Sequence, residues 1–323
     1  MYRMDYFRRI FKAYYSGKTS HLDFWHEVPQ INQDINYQAL GQYYQSFATK
    51  AGYDGYFDDN GVILLDYHGK IGKQYYHIAI AQYGLACFNR YKKTGNKEWL
   101  DKAVFQGNWL VGNLTMNKQG YYLWYANFDW EYRDLLKAPW PSALAQGNGI
   151  SLLVRLYQET QNKQYLETSR KAYQGLIADI KTGGVAFIDE AGDLWLEEYI
   201  VSPPTHILNG FMWTAMGVYD YYLLTKDKQV EVIFYRCIET LKKNLYKYDI
   251  GFWSLYELSG TRIKMIASHY YHSLHIIQLT ILYNITGEPI FNKFAERWHR
   301  YDKNIFYKIV SWFYKAVFKL IYY

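Results

Sequence analysis

The sequence predicts a mainly α-helical protein, an (α/α) toroid of stacked helical hairpins with a small β-hairpin appendage near the N-terminus. The first observation behind this prediction is a helix stop that recurs along the chain. It occurs as Thr94-Gly95-Asn96-Lys97, Thr160-Gln161-Asn162-Lys163, Thr225-Lys226-Asp227-Lys228 and Thr286-Gly287-Glu288-Pro289. An apolar-periodic helix precedes each stop and a second helix follows it. The repeat of about 61–66 residues therefore indicates αα-hairpins, each with an intervening segment.

The second observation concerns the segments that separate the hairpins. Residues 121–140, 183–204 and 251–270 are rich in Trp, Tyr and Gly and contain short strand-like pieces. Hairpins that cannot bury their apolar faces alone stack on their neighbours, as an open solenoid or a closed toroid. In a toroid these segments would meet at one end, because each follows the second helix of a pair. We expect that end to be the active face.

The chain divides into four predicted regions. Helices are expected over 1–20 and 37–51, and Asn60-Gly61 predicts a hairpin because Asn and Gly tolerate positive φ at both central positions of a tight turn. The regions are 1–52, an N-terminal basic helical segment; 53–78, the β-hairpin appendage; 79–301, the toroid; and 302–323, an amphipathic C-terminal helix.

Composition and charge exclude several classes of protein. Aromatic residues make up 20% of the 323 residues, and the net charge of +6 is mild. Such a charge suits a polyanionic partner, and no nucleic-acid motif or basic run suggests nucleic acid. No 18 consecutive residues are apolar and no secretory signal is recognisable, so we expect a cytoplasmic protein without a spanning helix. Cys87 and Cys237 are expected to be buried thiols.

The C-terminal helix, 305–323, adds a membrane surface to the expected partners. Lys308, Ser311, Lys315 and Lys319 fall on one stripe, and aromatic and aliphatic residues cover the rest of the helix. This pattern is typical of a helix lying in a headgroup layer, here that of the inner membrane face. The alternatives are a helix packed on the toroid or a contact in a homodimer.

One stretch of sequence concentrates the polar groups on which we expect the function to depend. Glu197-Glu198-Tyr199 precedes Pro203-Pro204, which cannot continue a helix or a central strand, and a long apolar helix follows at once. Glu198 and Tyr199 are therefore predicted to lie on a loop or strand end at the mouth of the helical scaffold, a common place for chemistry.

Five segments, in the right order over about residues 70–301, resemble the C-terminal domain of the D-glucuronyl C5-epimerases. Any one of these matches alone is weak, and the shared order makes the resemblance specific. The segments are Tyr75 to Leu85, Ser142 to Arg155, Glu197 to Gly210, Leu245 to Leu258, and Tyr270 to Leu279.

The resemblance implies an isomerase that inverts C5 of glucuronate to give iduronate within heparosan- or heparan-type polysaccharides, as in capsule biosynthesis. It implies an anionic, uronate-containing polysaccharide as partner and no cofactor. By its motifs the catalytic groups are Glu198, Tyr199, Tyr256 and Tyr271, with a substrate contact at Asn209. The family's arginine three residues after the second tyrosine is Ser259 here, and Arg262 is the expected replacement.

The chemistry explains why such residues are needed. The C5 hydrogen is α to the carboxylate, so its removal builds an enediolate, and the site must neutralise charge and supply a base and an acid on opposite ring faces. We predict that Glu198 and Tyr271 flank C5 while Tyr199 and Tyr256 orient or relay the proton. Arg155, Arg262 or Lys264 would neutralise the carboxylate. Further substrate contacts are predicted at Gln146, Trp140, His272 and His275.

Three alternatives remain open at this point. A polysaccharide lyase would share the C5 proton abstraction and then expel the C4 oxygen. A glycoside hydrolase would need two opposed carboxylates, for which Glu198 with Asp249 or Glu257 are the candidates. A non-catalytic glycan-binding subunit would carry a degenerate site. No metal is predicted, because His272 and His275 lack an acidic third ligand at a telling distance.

Overall fold

Helices account for most of the structure, a computed structural model that describes residues 21–33, 35–132 and 135–322. In chain order the helices are α1 His21–Trp25, α2 Ala48–Ala51, α3 His77–Thr94, α4 Lys97–Gly112, α5 Ala143–Thr160, α6 Lys163–Ile177, α7 Leu208–Thr225, α8 Lys228–Asn244, α9 His269–Thr286, α10 Pro289–Lys303 and α11 Ile305–Tyr322. The short strands are β1 Tyr56–Phe57, β2 Ile63–Asp66, β3 Lys73–Gln74, β4 Thr115–Met116, β5 Tyr122–Leu123, β6 Tyr125–Ala126, β7 Trp130–Glu131, β8 Leu135–Leu136, β9 Trp140–Pro141, β10 Ala186–Ile188 and β11 Leu194–Leu196.

The recurring stop sequences form equivalent turns between paired helices. Each threonine hydroxyl donates to the carbonyl four residues earlier and accepts the amide two residues later, at Thr94, Thr160, Thr225 and Thr286. The residue after each threonine has positive φ, whether or not it is glycine: Gly95, Gln161, Lys226 and Gly287. In three of the turns the next side chain caps the following helix, at Asn96, Asn162 and Asp227.

The hairpins stack in chain order into the predicted (α/α) toroid. The first helices of the pairs, α3, α5, α7 and α9, are largely buried, whereas the second helices α4, α6, α8 and α10 are amphipathic. Helices that are apolar on most sides belong in a core, and amphipathic ones cover it. The first helices are therefore the inner ring. Close approach within this ring needs glycine, since a Cβ added at Gly217 on α7 would lie 2.4 Å from the Gly147 carbonyl oxygen on α5.

Residues 35–51 cross the end of the toroid at which the inner helices terminate. Tyr44 donates to the Asp220 carboxylate over 2.7 Å, and the Gly41 carbonyl accepts from Arg155 over 2.9 Å. The prediction of a helix over 37–51 is wrong except at α2. Groups of this segment form hydrogen bonds with the ends of the inner helices instead of with one another. The helix predicted over 1–20 lies outside the described residues.

The small β appendage is present as a three-stranded antiparallel sheet of β1, β2 and β3. Its first turn differs from the expected two-residue turn, because only Gly61 has positive φ. The Asp58 carboxylate instead accepts the amides of Asn60 and Val62 over 2.9 and 2.8 Å. A five-residue loop organised by Asp58 therefore joins β1 to β2.

The C-terminal helix α11 presents its two faces in an unexpected way. Ser311 is buried against His269, and Lys315 donates to the Ile266 carbonyl, so the lysine-bearing stripe faces the toroid. The exposed side chains are instead apolar: Ile305, Phe306, Ile309, Trp312, Phe313, Val317, Leu320 and Ile321. Among the helices of the described residues, none is long and apolar enough to cross a membrane.

Candidate active site

A cavity of about 500 Å³ lies where the inner helices begin. The second residue of every inner helix lines it: Ile78, Leu144, Asn209 and Tyr270. Parts of the three segments between the hairpins also line it, so these segments do meet at one end of the toroid. Helices α1 and α11 contribute the remaining wall. The cavity brings together all the predicted catalytic groups: Glu198, Tyr199, Tyr256 and Tyr271.

Glu198 and Tyr199 form the first pair of polar groups. Glu198 follows the end of β11, is only 5% exposed, and is hydrogen-bonded by Tyr199. Its second oxygen, Oε2, has no hydrogen-bond partner within the described part of the chain. Burial, with the neighbouring Glu197 charge, raises the pKa of Glu198 to about 8 despite the Tyr199 hydrogen bond. A carboxyl group with such a pKa can exchange a proton near neutral pH.

The two adjacent glutamates have different environments. Glu197 is engaged by His206, whose Nδ1 lies 2.5 Å from Oε1, and its backbone carbonyl accepts the Ala143 amide over 2.9 Å. Glu198 instead packs on Gly210, where an added Cβ would lie 2.1 Å from Oε2. Glu197 therefore anchors the proline-containing loop, while the glycine leaves room for the Glu198 carboxyl group at the start of α7.

Tyr256 and Tyr271 form the second pair. The Tyr256 amide donates to Met265 over 2.8 Å and its carbonyl accepts from Leu208 over 3.0 Å, which ties this segment to the start of α7. Tyr271 lies in the first turn of α9, its ring centre 4.9 Å from that of Tyr256, and the two hydroxyls are hydrogen-bonded. Burial and the Glu198 charge raise the pKa of Tyr271 well above its usual value. The phenol is therefore protonated and able to donate at neutral pH.

The ends of the inner helices make this cavity suited to an anion. A helix N-terminus carries partial positive charge and unpaired amides. The N-cap residues of three inner helices, Tyr76, Ser142 and Ile207, supply no side-chain cap. Asn209 is 2% exposed, lines the cavity, and has an Oδ1 without a hydrogen-bond partner in the described residues. The resemblance implied a substrate contact at Asn209, and the structure places this residue in the cavity wall.

Some cavity residues were not among the predicted site residues. They are His26, Tyr76, Tyr132, His269, Lys315 and Lys319. Burial raises the pKa of Tyr76 well above its usual value, and the nearby charges of Glu198 and Tyr271 raise it further. The lysines of α11 lie outside the repeats and carried no signal of a site.

Two predicted substrate contacts lie away from the cavity. Arg155 is 1% exposed and makes a two-pronged ion pair with Asp220, at 2.6 and 2.9 Å. Gln146 hydrogen-bonds the backbone of Trp124 and Tyr122. Both predictions are corrected, because each side chain already satisfies its polar groups inside the toroid.

The other predicted contacts are also corrected. His272 and His275 are fully buried against Ser254 and away from the cavity lining, with burial lowering the pKa of His272 to about 4. Trp140 does not line the cavity but packs edge-on against the Tyr199 ring, with 5.6 Å between the ring centres. Its indole N–H donates to the Phe128 carbonyl. Arg262 is exposed on the surface outside the cavity lining, and Lys264 lines a separate depression.

The carboxylates proposed for a hydrolase do not oppose Glu198. Asp249 pairs with Arg297 over 2.9 Å, and neither Asp249 nor Glu257 lines the cavity. Across 21–33, 35–132 and 135–322, no three His, Cys, Asp or Glu side chains are grouped so as to hold a metal ion.

The fold is that of known sugar epimerases. A sugar epimerase from a ruminal bacterium superposes with a TM-score of 0.55 at 15% identity, covering 80% of this chain and 68% of that chain. Cellobiose 2-epimerase from Bacillus thermoamylovorans B4167 gives a TM-score of 0.51 at 12% identity, covering 90% and 71%. These similarities place the chain among (α/α) toroids of this class.

Sequence comparison identifies the family. Residues 117–300 match the family described as the D-glucuronyl C5-epimerase C-terminus, and the chain belongs to this family. It is 29% identical to the D-glucuronyl C5-epimerase of Caenorhabditis elegans over 226 residues, covering 65% of this chain but only 36% of that relative. An uncharacterized protein of Methanocaldococcus jannaschii is 26% identical over 261 residues, covering 74% of this chain and 83% of the relative.

Proposed function

We propose that the protein is a uronate C5-epimerase that converts D-glucuronate residues of a polysaccharide to L-iduronate by removing and returning the proton on C5. The observation that carries this proposal is the convergence of Glu198–Tyr199 and Tyr256–Tyr271, two hydrogen-bonded pairs, on one cavity. Membership of the D-glucuronyl C5-epimerase family supports it. The substrate is an anionic polysaccharide, with heparosan as the first candidate.

Glu198 is the base in this mechanism. Its pKa of about 8 makes the ionised carboxylate a far better proton acceptor than an ordinary glutamate. The C5–H bond breaks, its proton moves to Oε2, and its electron pair enters the enediolate formed with the sugar carboxylate. The Tyr199 hydroxyl, donating to the same carboxyl group, fixes the orientation of the base.

Tyr271 is the acid. Its hydroxyl proton moves to C5 on the opposite ring face, forming the new C5–H bond and closing the enediolate back to a carboxylate. Tyr256 is hydrogen-bonded to Tyr271 and stabilises the phenolate that results. Glu198 then releases its proton to solvent and Tyr271 takes one up, so each turnover brings a solvent hydrogen to C5.

Deuterium exchange tests this proposal. Heparosan and other glucuronate polymers are incubated with the protein in heavy water, and loss of the C5 proton signal is followed. We expect exchange by the parent protein and a loss of about 10²- to 10⁴-fold in Glu198→Gln and in Tyr271→Phe. The matched control is Tyr283→Phe, on the same helix but 36% exposed, which should exchange at the parent rate.

Two results would reject the proposal. One is exchange at the parent rate in Glu198→Gln and in the Phe variants of Tyr199, Tyr256 and Tyr271. The other is the ultraviolet absorbance of an unsaturated uronate, which would mean that the C4–O bond breaks and the enzyme is a lyase. A parent protein that exchanges no polymer would favour a non-catalytic glycan-binding role.

The outer face of α11 is proposed to rest on an anionic membrane, at the cytoplasmic side, where a polysaccharide grows. Eight large apolar side chains are exposed on this helix, and it contains no acidic residue. Arg300 and Lys303, in the last turn of α10, supply positive charge close to the apolar face. Apolar insertion flanked by cations is what anionic headgroups attract.

A further inference from the structure

The residues expected to neutralise the substrate carboxylate are absent from the cavity. Arg155 forms a buried ion pair with Asp220, and Arg262 is exposed outside the cavity lining. Ser259 stands where the resemblance led us to expect an arginine. Removing a proton α to a carboxylate places further negative charge on that group, and a cation beside it would stabilise the transition state. Another element of the chain that lines the cavity is therefore the candidate to supply one.

Helix α11 brings lysines to the same cavity. Ser311, Trp312, Lys315, Ala316 and Lys319 of this helix form part of the wall that faces the phenols. Lys315 Nζ lies 5.7 Å from the centre of the Tyr256 ring and donates to the Ile266 carbonyl over 2.6 Å. That carbonyl belongs to the residue after Met265, which accepts the Tyr256 amide. Lys315 and Tyr256 are therefore held by one backbone segment.

The Lys315 ammonium group is incompletely satisfied. It donates to one backbone carbonyl and forms no ion pair with any carboxylate among residues 21–33, 35–132 and 135–322. An ammonium group has three donors, so the remaining ones are available to a ligand in the cavity. Glu257 acts on Lys315 only from beyond ion-pair distance, so burying this cation remains costly, and an arriving carboxylate would reduce that cost.

Resting on the proposed epimerase function, we propose that Lys315 binds the carboxylate of the uronate and so takes the place of the family's arginine. Lys319, one helical turn further along the same wall, adds positive potential. Helix α11 lies beyond residue 300, where the family match ends, so the cation comes from a part of the chain that the family comparison leaves out. The ligand class is a sugar carboxylate, and a neutral sugar of the same shape would gain nothing from this lysine.

Two tetrasaccharides and three variants test this inference. The probes are a heparosan tetrasaccharide and the same compound with its carboxyl groups reduced to hydroxymethyl groups. By calorimetry we expect Lys315→Met to weaken binding of the acidic compound about 10- to 100-fold and to leave the neutral compound unchanged. Lys315→Arg should retain most of the difference. Lys308→Met, on the same helix but outside the cavity lining, should bind like the parent.

The outcomes separate this inference from the proposed function. Equal weakening for both compounds, or parent-like binding of the acidic compound by Lys315→Met, would overturn the role of Lys315. A parent protein with no preference for the acidic compound would overturn it as well. If Lys315→Met exchanges C5 deuterium with the parent kcat/KM, the inference fails while the epimerase function stands. If the parent binds through Lys315 but never exchanges C5, the function fails and the inference stands. Circular dichroism checks that each variant is folded.

Discussion

The two ends of the toroid bury charged groups in opposite ways. Where the inner helices terminate, Arg155 and Asp220 form a two-pronged ion pair, and Tyr44 adds a further hydrogen bond to the same carboxylate. Where the inner helices begin, the Glu198 Oε2 and the Asn209 Oδ1 lack partners among the described residues, and no carboxylate there lies within ion-pair distance of Lys315. The Arg155–Asp220 ion pair is satisfied within the protein, whereas these groups at the cavity are not.

The difference indicates what each end is for. A buried polar network whose groups are all paired stabilises one arrangement of the chain, and breaking it is costly. Unpaired polar groups at a cavity lower the stability of the empty protein and become favourable when a ligand completes them. We therefore infer a structural role for the Arg155 end and propose the functional role for the Glu198 end. Substitutions at the two ends should separate stability from activity.

The largest expected effect is on activity, in Glu198→Gln. Exchange at C5 should fall about 10²- to 10⁴-fold because the base is lost. Stability should rise, because the folded state raises the pKa of Glu198 from 4.5 to about 8 and so disfavours its charge. In the parent, the free energy of unfolding therefore falls as pH rises from 4.5 to about 8, because the unfolded chain ionises Glu198 more readily than the folded protein does. Glutamine carries no charge, so the variant does not show this loss. Urea unfolding at several pH values should show the variant's advantage growing from pH 4.5 to about 8; a variant less stable than the parent at pH 8 would contradict this reasoning.

The opposite end should show the next largest effect. Asp220→Asn leaves the Arg155 guanidinium buried without its counter-ion, at a cost of about 3–5 kcal/mol in the free energy of unfolding. The folded fraction should still exchange C5 at the parent rate, because the pair lies away from the cavity. Glu167→Gln, which breaks the exposed pair with Arg170, serves as control and should unfold like the parent. If fully folded Asp220→Asn protein no longer exchanged the C5 hydrogen, the assignment of a purely structural role to the Arg155 end would be wrong.

A smaller loss of activity is expected from Gly210→Ala. The new Cβ would lie 2.1 Å from the Glu198 Oε2 and 3.1 Å from its Cβ, so the carboxyl group must move away from C5. A displaced base should cost about 10- to 100-fold in exchange. Gly112→Ala, at a helical glycine with open space around it, is the matched control. Parent-like exchange by Gly210→Ala would mean that the Glu198 position is not critical.

The sequence was sufficient for the toroid because its repeats are local. The Thr94-type stops fix helix ends through hydrogen bonds within a few residues, and this pattern is visible in one dimension. The convergence of the candidate catalytic groups on one cavity was also predictable, since Glu198 and Tyr256 lie in motifs with their own spacing. The helix over 37–51 was mispredicted because contacts with Asp220 and Arg155, far along the chain, replace its local hydrogen bonds.

The substrate cations could not be predicted, for a related reason. The choice between Arg155 and Lys315 depends on which one finds a carboxylate partner inside the fold, and Asp220 is 65 residues from Arg155. The sequence also does not show which face of α11, the lysine-bearing one or the apolar one, packs on the toroid. An amphipathic pattern shows that a helix has two faces, but not which of them the protein covers.

The pH profile sharpens the comparison further. Burial, then the charge of Lys319, lowers the pKa of Lys315 to about 7, while Glu257 opposes this; Tyr256 and His269 are the other titratable groups nearby. The productive free enzyme needs Lys315 charged and Glu198 ionised, so kcat/KM should be bell-shaped with its maximum between about 7 and 8. Lys315→Arg stays charged and should lose the alkaline limb, leaving one rise near pH 8. An unchanged alkaline limb in this variant would assign it to another group.

The smallest expected effect concerns the outer face of α11. Replacing Phe306 and Phe313 by serine, at 65% and 60% exposure, should weaken binding to phosphatidylglycerol vesicles about tenfold while leaving exchange on a short soluble oligosaccharide unchanged. Val232→Ser, 58% exposed on α8, is the matched control. Because cations flank the apolar face, vesicles of phosphatidylcholine alone should bind more weakly. The membrane proposal is wrong if the parent binds neither kind of vesicle. If the parent then also sediments as a dimer and the double variant as a monomer, a second copy of the chain covers this face.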